Sequence, residues 1–551
     1  MVEINTGQGI EKINCLVDHE KFEPTPHQLK TVEAFLTSPY KGMLLYHQLG
    51  AGKTCTSIII ADTMLKEKLI DKVLILTPGS LRDNWASEYC KKCGSDFADK
   101  FIFATYNYFN IRNKLNPHFL ERALVIIEEV HNFINGVKNG SLNPVAIFKL
   151  LDKADCRILA LSGTPIYNYV SEFAILGRLL KPKKDDQRIG FISIFDEKNR
   201  ITTKNFSLQF ITKPDGSLMP QNPYSIRKLV EGIISFYPGS TEHMPQILEQ
   251  EIIKVEMTPR QELAYWHDAI KEERYRKPPA PSLKDQNPQL YLQLKRLQAM
   301  AKKYILSRRV SNFYYPKKFF TKKDALTIYG GWVDREEFDN HKLITTYSTK
   351  FAAFYANLIK NYNQKHVLFT FFKRKSGVYL IQAMLQLCNI TSEIFSGDLD
   401  DKQRESVLSR FNSPANRHGE NVKILLVTEA GAEGISILEA RHMHILESSI
   451  RMNRTIQAIG RVARYRSHAL LPENERTVKI WRYWSMGSPE PVTVKIKVYN
   501  NKGTQETVDV TVTNKETVDQ KLYYQGLKNM KSIQTFLDIL KDSAVEKLKI
   551  K

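Results

Sequence analysis

A glycine-rich stretch at residues 47–54 contains the residue types that bind a nucleotide phosphate. Gly50 and Gly52 permit a tight turn whose backbone N–H groups point at phosphate oxygens. Lys53 can reach the terminal phosphates, and the Thr54 hydroxyl can hold Mg²⁺. His47 stands where the general G-x-x-x-x-G-K-[ST] pattern has its first glycine. The stretch predicts a site for ATP and Mg²⁺ lined by consecutive residues: His47, Gln48, Leu49, Gly50, Ala51, Gly52, Lys53 and Thr54.

A carboxylate pair, Glu128 and Glu129, follows the apolar run of residues 123–127. Phosphoryl transfer to water uses a metal ligand and a group that activates the water. We assign Glu128 to the metal, which it would hold through water, and Glu129 to the activation of the attacking water. His131 either couples this turn to a second lobe or is a structural histidine.

Two arginines, Arg461 and Arg464, follow Gln457 in a segment with helical spacing. Residues three apart share one helix face, so both guanidinium groups are expected to point the same way. An arginine from across a cleft stabilises the charge of phosphoryl transfer, which is worth about 10³–10⁵ in rate. The alternative is a solvated helix face. The predicted catalytic residues are Lys53, Glu128, Glu129, Arg461 and Arg464, with Gln457 beside the nucleotide.

Two further polar segments belong near this site. Gln28 lies ahead of the glycine-rich stretch, where its amide would read the adenine edge; the alternative is a solvated loop glutamine. Residues 162–165, Ser-Gly-Thr-Pro, follow another apolar run. They either relay the state of the nucleotide or form a capped turn.

Polar side chains at or just beyond the ends of predicted strands are candidates for holding a nucleic-acid backbone, which positions a protein without reading sequence. These candidates are Thr77, Arg82, Thr105, Tyr106, Ser396 and Thr428. Residues 312–323 interleave aromatic residues with lysines. That pattern is typical of base stacking with phosphate contact, or of an aromatic plug between domains.

Composition supports a polyanionic partner. The chain has 551 residues, with 80 Lys and Arg against 59 Asp and Glu, a formal net charge of +21. Nucleic acid is the simplest such partner, and a merely basic surface is the alternative. No apolar run is long enough to span a membrane and no signal peptide opens the chain, so we expect a soluble, unsecreted protein. Scattered cysteines fit a reducing compartment, and the lone Cys90-x-x-Cys93 pair lacks the partners of a zinc site.

Apolar runs of buried-strand type must position these residues. The first group alternates with helical patterns and ends in the polar clusters above, at residues 72–77, 101–105, 123–127 and 157–161. A second group follows the same rhythm at residues 366–370, 392–395, 422–427, 442–446 and 478–483. Open α/β sheets bind ligands at the carboxyl ends of parallel strands. The sequence therefore predicts an α/β fold with two parallel-sheet lobes.

We divide the chain into four parts. Residues 1–180 form an N-terminal segment and the first, ATP-binding lobe. Residues 181–345 form a helical insertion or linker, with helices at 262–275 and 288–305. Residues 346–485 form the second lobe. Residues 486–551 form a β-hairpin from the alternating runs 492–498 and 508–512, followed by a helix at 518–548.

These motifs, in this order, resemble superfamily 2 helicases and translocases, and residues 161–168 with Glu172 resemble the Swi/Snf-like branch. The chain is most similar to the DNA-dependent ATPases of large cytoplasmic DNA viruses, which include poxvirus nucleoside triphosphatase I and the early transcription factor small subunit. The stretches that carry this resemblance are residues 46–47, 129–132, 232–237, 311–316, 433–436, 460–468 and 471–472.

The resemblance implies two RecA-like lobes with ATP between them, and a DNA-dependent ATPase or translocase that acts in viral transcription. It also implies a viral RNA polymerase or transcription-factor subunit as partner, and a location in the virion and host cytoplasm. DNA is expected rather than RNA. The family usually has Asp where Glu128 stands, and the longer side chain, which moves the carboxylate by about 1.5 Å, predicts slower hydrolysis.

Three alternatives stay open. The first is an RNA helicase of the same superfamily, because the backbone-gripping residues do not distinguish the sugars. The second is a promoter-binding subunit of an early transcription initiation factor with a secondary ATPase. The third is an NTPase that has no polymer track.

Overall fold

The computed structural model describes most of the chain, namely residues 10–12, 22–48, 50–78, 81–94, 97–106, 115–181, 191, 194–195, 201–239, 242–314, 347–374, 376–429, 431, 435–500 and 503–547. Leu49, Glu433 and Gly434 lie outside these ranges, as does the aromatic and lysine-rich run from residue 315 onward. The chain forms two compact units, Met1–Glu242 with Lys528–Lys551, and His243–Leu527.

The first unit is built on an α/β pattern. Its described elements are β1 Ile10–Lys12, α1 Pro26–Thr37, β2 Gly42–His47, α2 Lys53–Lys66, β3 Lys72–Thr77, α3 Arg82–Glu88, β4 Phe101–Thr105, α4 Pro117–Leu120, β5 Ala123–Ile127, α5 Val130–Lys138, α6 Leu142–Lys153, β6 Arg157–Leu161, α7 Phe173–Leu180, β7 Ile194–Phe195, β8 Ile201–Thr202, α8 Lys204–Ser207, β9 Phe210–Thr212, β10 Leu218–Pro220, α9 Pro223–Val230 and β11 Ile234–Tyr237.

Its main sheet has the strand order β1-β4-β3-β5-β6-β2-β11. β1 pairs antiparallel with β4, and the other neighbours pair in parallel. Alternate residues of the central strand β5 enter two cores because side chains alternate across a strand. Leu124 and Ile126 pack in the core that contains α2, whereas Val125 and Ile127 pack with α5, α6 and α7. Helices therefore cover both faces, which explains the continuous apolar runs.

The second unit has its own sheet. The elements described in it are β12 Gln246–Glu256, α10 Pro259–Tyr275, α11 Leu283–Gln286, α12 Pro288–Ala301, α13 Ile305–Asn312, α14 Thr349–Lys360, β13 Lys365–Thr370, α15 Val378–Leu387, β14 Ser392–Phe395, α16 Asp401–Asn412, β15 Ile424–Thr428, β16 Ala440–Ile445, α17 Met452–Val462, β17 Thr477–Met486, β18 Val492–Tyr499 and β19 Gln505–Val512. A last helix, α18 Val518–Asp542, begins in this unit and ends in the first one.

The sheet of the second unit is parallel throughout, in the order β12-β17-β16-β13-β15-β14. β18 and β19 form the predicted antiparallel hairpin. The two-lobed α/β class with parallel sheets is confirmed. β12 was not predicted, because this edge strand mixes polar and apolar residues without a regular alternation. The four-part division of the chain stays a prediction.

Two cysteines that are distant in sequence meet in the first unit. Cys55 in the first turn of α2 is disulfide-bonded to Cys93 in the π-helical turn Tyr89–Cys93, with 5.6 Å between the Cα atoms. Cys90 is disulfide-bonded as well. These disulfides differ from the expectation of scattered cysteines in a reducing compartment, because only the fold brings the two elements together.

None of the helices that the structure describes has the length and apolar character required to cross a bilayer.

Candidate nucleotide-binding site

The glycine-rich stretch forms the predicted strand–loop–helix. It follows β2, which is buried throughout, and leads into α2. Gly50 and Gly52 have φ of 78° and 70°, the left-handed region that glycine adopts at little cost. A Cβ at Gly52 would also lie 2.8 Å from Nε2 of Gln28. Position 52 therefore requires glycine both for its φ and because a Cβ would be too close to Gln28. The loop ends at a helix N-terminus, where phosphate binds favourably.

Lys53 is held against the base of this loop. Its Nζ donates to the carbonyl of His47 at 2.8 Å and to that of Gln48 at 3.3 Å. Gln48 in turn donates from Nε2 to the carbonyl of Gly163 at 3.4 Å. The Ser162–Pro165 turn therefore contacts the phosphate loop, and the ammonium group lies where a triphosphate would bind.

The carboxylate pair follows β5 as predicted. Glu128 is buried, and its Oε2 has no hydrogen-bond partner among the residues that the structure describes. Burial and the negative charge of Glu129 raise the pKa of Glu128 to about 8, while the charge of Lys53 opposes this shift. An unpaired buried carboxylate oxygen fits a hard cation such as Mg²⁺, for which Glu128 and the Thr54 hydroxyl are the candidate ligands.

Glu129 has an unusual backbone conformation, with φ 45° and ψ 53°. A non-glycine residue in the left-handed region carries strain, and such residues cluster at functional sites. Oε2 of Glu129 lies 3.4 Å from Nδ1 of His131. The same nitrogen lies 2.9 Å from Oγ of Ser162. His131 is buried and stacks on Tyr167. These contacts lie within the first unit and support a structural role for His131.

Gln28 is buried in α1, so the solvated-loop alternative is wrong. Its Nε2 donates to the carbonyl of Gly52 at 3.3 Å, and its Oε1 accepts from the backbone N–H of Thr25 at 2.9 Å. This glutamine links the start of α1 to the phosphate loop. Reading of the adenine edge stays a prediction.

Two aromatic rings beside the loop, those of His27 and Tyr237, were not predicted from the sequence. The rings of His27 and Tyr237 stack with 3.6 Å between centroids and 3° between planes. His27 Nε2 also lies 3.1 Å from the carbonyl of Ala51. The sequence shows Tyr237 at the end of a short apolar run. Its contact with a histidine 210 positions earlier could not be predicted, because it depends on the pairing of β11 with β2.

The arginines of the second unit differ from the prediction in one respect. α17 ends at Val462, and the backbone leaves helical geometry at Ala463, with φ −92° and ψ 74°. Arg464 therefore lies beyond the helix, so the expectation that it shares a helix face with Arg461 is wrong. Its Nη1 instead donates to Oγ of Ser436.

Other contacts fix this end of the second unit. The Arg461 carbonyl accepts a hydrogen bond from the backbone N–H of Ile437 at 3.0 Å. Arg454 in the first turn of α17 forms an ion pair with Glu429, which follows β15. The helix that carries Gln457 is thereby tied to the carboxyl end of a central strand, which is the ligand-binding edge of an open α/β sheet.

The candidate nucleic-acid contacts fall into two groups. Arg82 and Thr105 are partly exposed. The other side chains are buried, namely Thr77, Tyr106, Ser396 and Thr428. The Thr77 hydroxyl donates to the carbonyl of Pro78. Because buried hydroxyls present no surface to a polymer, contact at these positions would have to come from the backbone.

Two family models match the chain. Residues 21–167 match the model described as type III restriction enzyme, res subunit, and residues 349–466 match the helicase conserved C-terminal domain. The first segment contains the phosphate loop and the carboxylate pair, and the second contains both arginines. The chain therefore contains the two domains of helicase-type ATPases, which implies ATP hydrolase activity.

Viral proteins are similar to this helicase-type ATPase over most of their length. A protein of Acanthamoeba polyphaga mimivirus whose name describes an ATP-dependent RNA helicase is 25% identical, over 84% of this chain and 83% of its own. African swine fever virus proteins named termination factor NPH-I homolog are 23–24% identical, over 92% of this chain and 76% of their own.

Two solved structures are also similar. The Sulfolobus solfataricus SWI2/SNF2 ATPase core in complex with dsDNA is 16% identical, covers 87% of this chain and 91% of its own, and has a TM-score of 0.33. The Pyrococcus furiosus Hef helicase domain is 14% identical, covers 84% and 95%, and has a TM-score of 0.42.

Proposed function

We propose that this ATPase is a motor that moves along DNA and acts in viral transcription. The observation that carries the proposal is the buried, unpaired carboxylate oxygen of Glu128, whose charge interacts with that of Lys53 at the phosphate loop. The net charge of +21 supports a polyanionic track. The viral relatives named as termination factors support a role in transcription.

In the proposed cycle, the loop amides and Lys53 bind the phosphates of ATP. When bound, Mg²⁺ would neutralise phosphate charge, held by Thr54 and, through water, by Glu128. Glu129 accepts the proton of the attacking water. Arg461 and Arg464 complete the site from the second unit, so hydrolysis depends on closure of the two units. Alternation of closure and opening moves the protein along the nucleic-acid backbone.

Protein partners follow from the same proposal. A viral RNA polymerase or transcription-factor subunit would recruit the motor to transcribing complexes, in the host cytoplasm and in the virion. A promoter-binding initiation factor would instead protect defined DNA sequences in footprinting without ATP. We propose backbone tracking, because phosphate contacts carry no sequence information.

An RNA helicase is the second candidate, because the mimivirus relative has a name that describes this activity. ATP hydrolysis with single-stranded DNA, duplex DNA and single-stranded RNA, each at about 50 and 200 mM salt, separates the two. We expect the greatest stimulation by DNA, with a steep loss at the higher salt because phosphate contacts release counterions. Preference for RNA would overturn the DNA proposal, and a rate indifferent to every polymer would indicate a plain NTPase. Lys53→Ala is the inactive control.

A further inference from the structure

His47 occupies a buried position that ties the phosphate loop to a second strand. Its side chain is fully buried, and its Nε2 lies 2.8 Å from Oγ of Ser235 in β11. The carbonyl of the same residue accepts the hydrogen bond from Lys53 Nζ. Any displacement of the His47 backbone therefore moves an acceptor of the lysine that would bind the nucleotide.

Ser235 connects His47 to the C-terminal segment. Its Oγ donates to Oε1 of Glu546, in the 3₁₀ turn Val545–Lys547 that follows α18. The other oxygen of Glu546 accepts the backbone N–H of Phe236 at 3.0 Å. Thr31 Oγ1 in α1 also lies 3.1 Å from the Ser235 hydroxyl. The Thr31 proton is directed to the carbonyl of His27, so this contact adds no hydrogen bond to Ser235. The buried Ser235 hydroxyl thus joins the phosphate loop to the turn Val545–Lys547.

The direction of these hydrogen bonds follows from the available protons. A carboxylate only accepts, so the single hydroxyl proton of Ser235 is used toward Glu546. Ser235 then accepts from His47, which places the imidazole proton on Nε2. Nδ1 is left as an acceptor, and it is buried without a partner among the described residues. Burial lowers the pKa of His47 to about 3, consistent with a neutral ring.

The C-terminal segment is itself anchored in the first unit. Phe536, Leu540 and Ala544 are buried in the core that also contains α7. Asp542 pairs with Arg227 at 3.3 Å on the surface. Glu546 is exposed, so its carboxylate reaches inward from the surface to Ser235. The apolar anchor sets the position of the turn, and Glu546 adds one polar connection from that turn toward the loop.

We propose that the C-terminal turn positions the phosphate loop through the chain Glu546–Ser235–His47, so that Glu546 and Ser235 are positioning residues for ATP binding. This inference rests on the proposed use of the loop for ATP. His47, at the first position of the loop, is then the last residue of this hydrogen-bonded chain. A glycine could not take its place, because it has no side chain to contact Ser235.

The full-length protein and two variants, Glu546→Ala and Ser235→Ala, test the inference. Binding of a fluorescent ATP analogue is expected to weaken by about three- to tenfold in each, because each variant removes two modest hydrogen bonds at Ser235 or Glu546. The kcat at saturating ATP is expected to stay within about twofold, because neither residue touches the reacting atoms. Glu546→Gln keeps one acceptor oxygen for Ser235 but turns an NH2 group toward the N–H of Phe236, so it is expected to restore binding only in part.

Lys531→Ala is the matched control, because it removes an exposed ion pair of the same tail, that with Asp215, about four helical turns before the turn that contains Glu546. It is expected to leave ATP binding unchanged. A Glu546→Ala protein with a lower Tm and unchanged ATP affinity would overturn the inference, as would equal losses in Lys531→Ala. If Lys53→Ala still binds the analogue, the proposed function itself fails; if only Lys53→Ala loses binding, this inference alone fails.

Discussion

At the residue scale, the site concentrates features that a fold alone would avoid. Glu128 keeps an unpaired oxygen in the interior, and Glu129 holds a left-handed backbone conformation. Each feature lowers the free energy of unfolding, and such a backbone conformation does so by about 1–3 kcal/mol. Proteins break local rules of this kind mainly where function requires it. These features support the proposed roles of Glu128 and Glu129 in hydrolysis.

The Glu129→Gln variant tests the assignment of the group that activates water. The amide cannot accept the water proton, so kcat is expected to fall by about 10²–10⁴. Affinity for the fluorescent ATP analogue is expected to stay unchanged, since Gln keeps the size of the side chain. Single-turnover hydrolysis separates the two effects. Glu121→Gln, at an exposed position, is the control; hydrolysis that survives in Glu129→Gln would assign the base elsewhere.

Arg461→Ala tests the contribution of the second unit. The rate of hydrolysis is expected to fall by about 10³ or more, because transition-state charge loses its partner. ATP binding is expected to change little, as the phosphate loop is untouched. Arg466→Ala, a few residues further on and stacked near Tyr465, is the matched control. An equal and small effect of both variants would show that Arg461 belongs to a solvated face.

At the element scale, a buried row of histidines lies on two neighbouring strands of the second unit, β13 and β16, beside Trp481 and Tyr483 of β17. His366 in β13 and His444 in β16 face each other, with 2.9 Å between Nδ1 and Nε2. His366 Nε2 lies 3.1 Å from the Asn361 carbonyl and donates to it, so only one proton lies between the two rings. His444 Nδ1 then accepts from the Tyr483 hydroxyl at 2.8 Å. His442 accepts at Nδ1 from the indole of Trp481.

This row predicts that acid destabilises the second unit. Burial lowers the pKa of His366 to about 3 and of His442 to about 4, and it lowers that of His444 well below the ordinary value. The unfolded chain takes up protons near pH 6.5, so stability is full above about pH 6.5 and falls as pH decreases. Below that pH, each histidine lowers the free energy of unfolding by about 1.4 kcal/mol per pH unit.

Urea unfolding followed by tryptophan fluorescence at several values between about pH 7 and 5 measures this dependence. His442→Gln is expected to reduce the slope by about one proton, because it removes one group that charges only on unfolding. His118→Gln, at a side chain that is 89% exposed, should leave the slope unchanged. Equal slopes in all three proteins would contradict the role assigned to burial.

Some elements could be predicted from the sequence and others could not. β3, β4, β5 and β6 were predictable because strands buried on both faces read as continuous apolar runs. β12 was not, because an edge strand mixes charged and apolar residues. The phosphate loop is local in sequence and was predicted. The contacts of the Tyr237 ring with the loop region and of Cys93 with α2 were not, because they depend on long-range packing. The prediction that Arg464 shares a helix face with Arg461 was wrong, because helical spacing does not indicate where a helix ends.

At the scale of the whole molecule, two α/β units each carry part of one proposed site. The phosphate loop and carboxylates lie in the first unit, and Arg461 and Arg464 in the second. The excess of 80 basic over 59 acidic residues provides the charge to hold a nucleic-acid backbone. α18 belongs to both units and leads to the turn that contains Glu546.

The most direct test of the motor proposal is displacement of a third DNA strand from a triplex on duplex DNA. A protein that moves along the duplex removes that strand with no need to separate the duplex itself. We predict ATP-dependent displacement by the wild-type protein and none by Glu129→Gln, although both bind the DNA. ATP hydrolysis that is stimulated by duplex DNA but leaves the triplex intact would contradict the account.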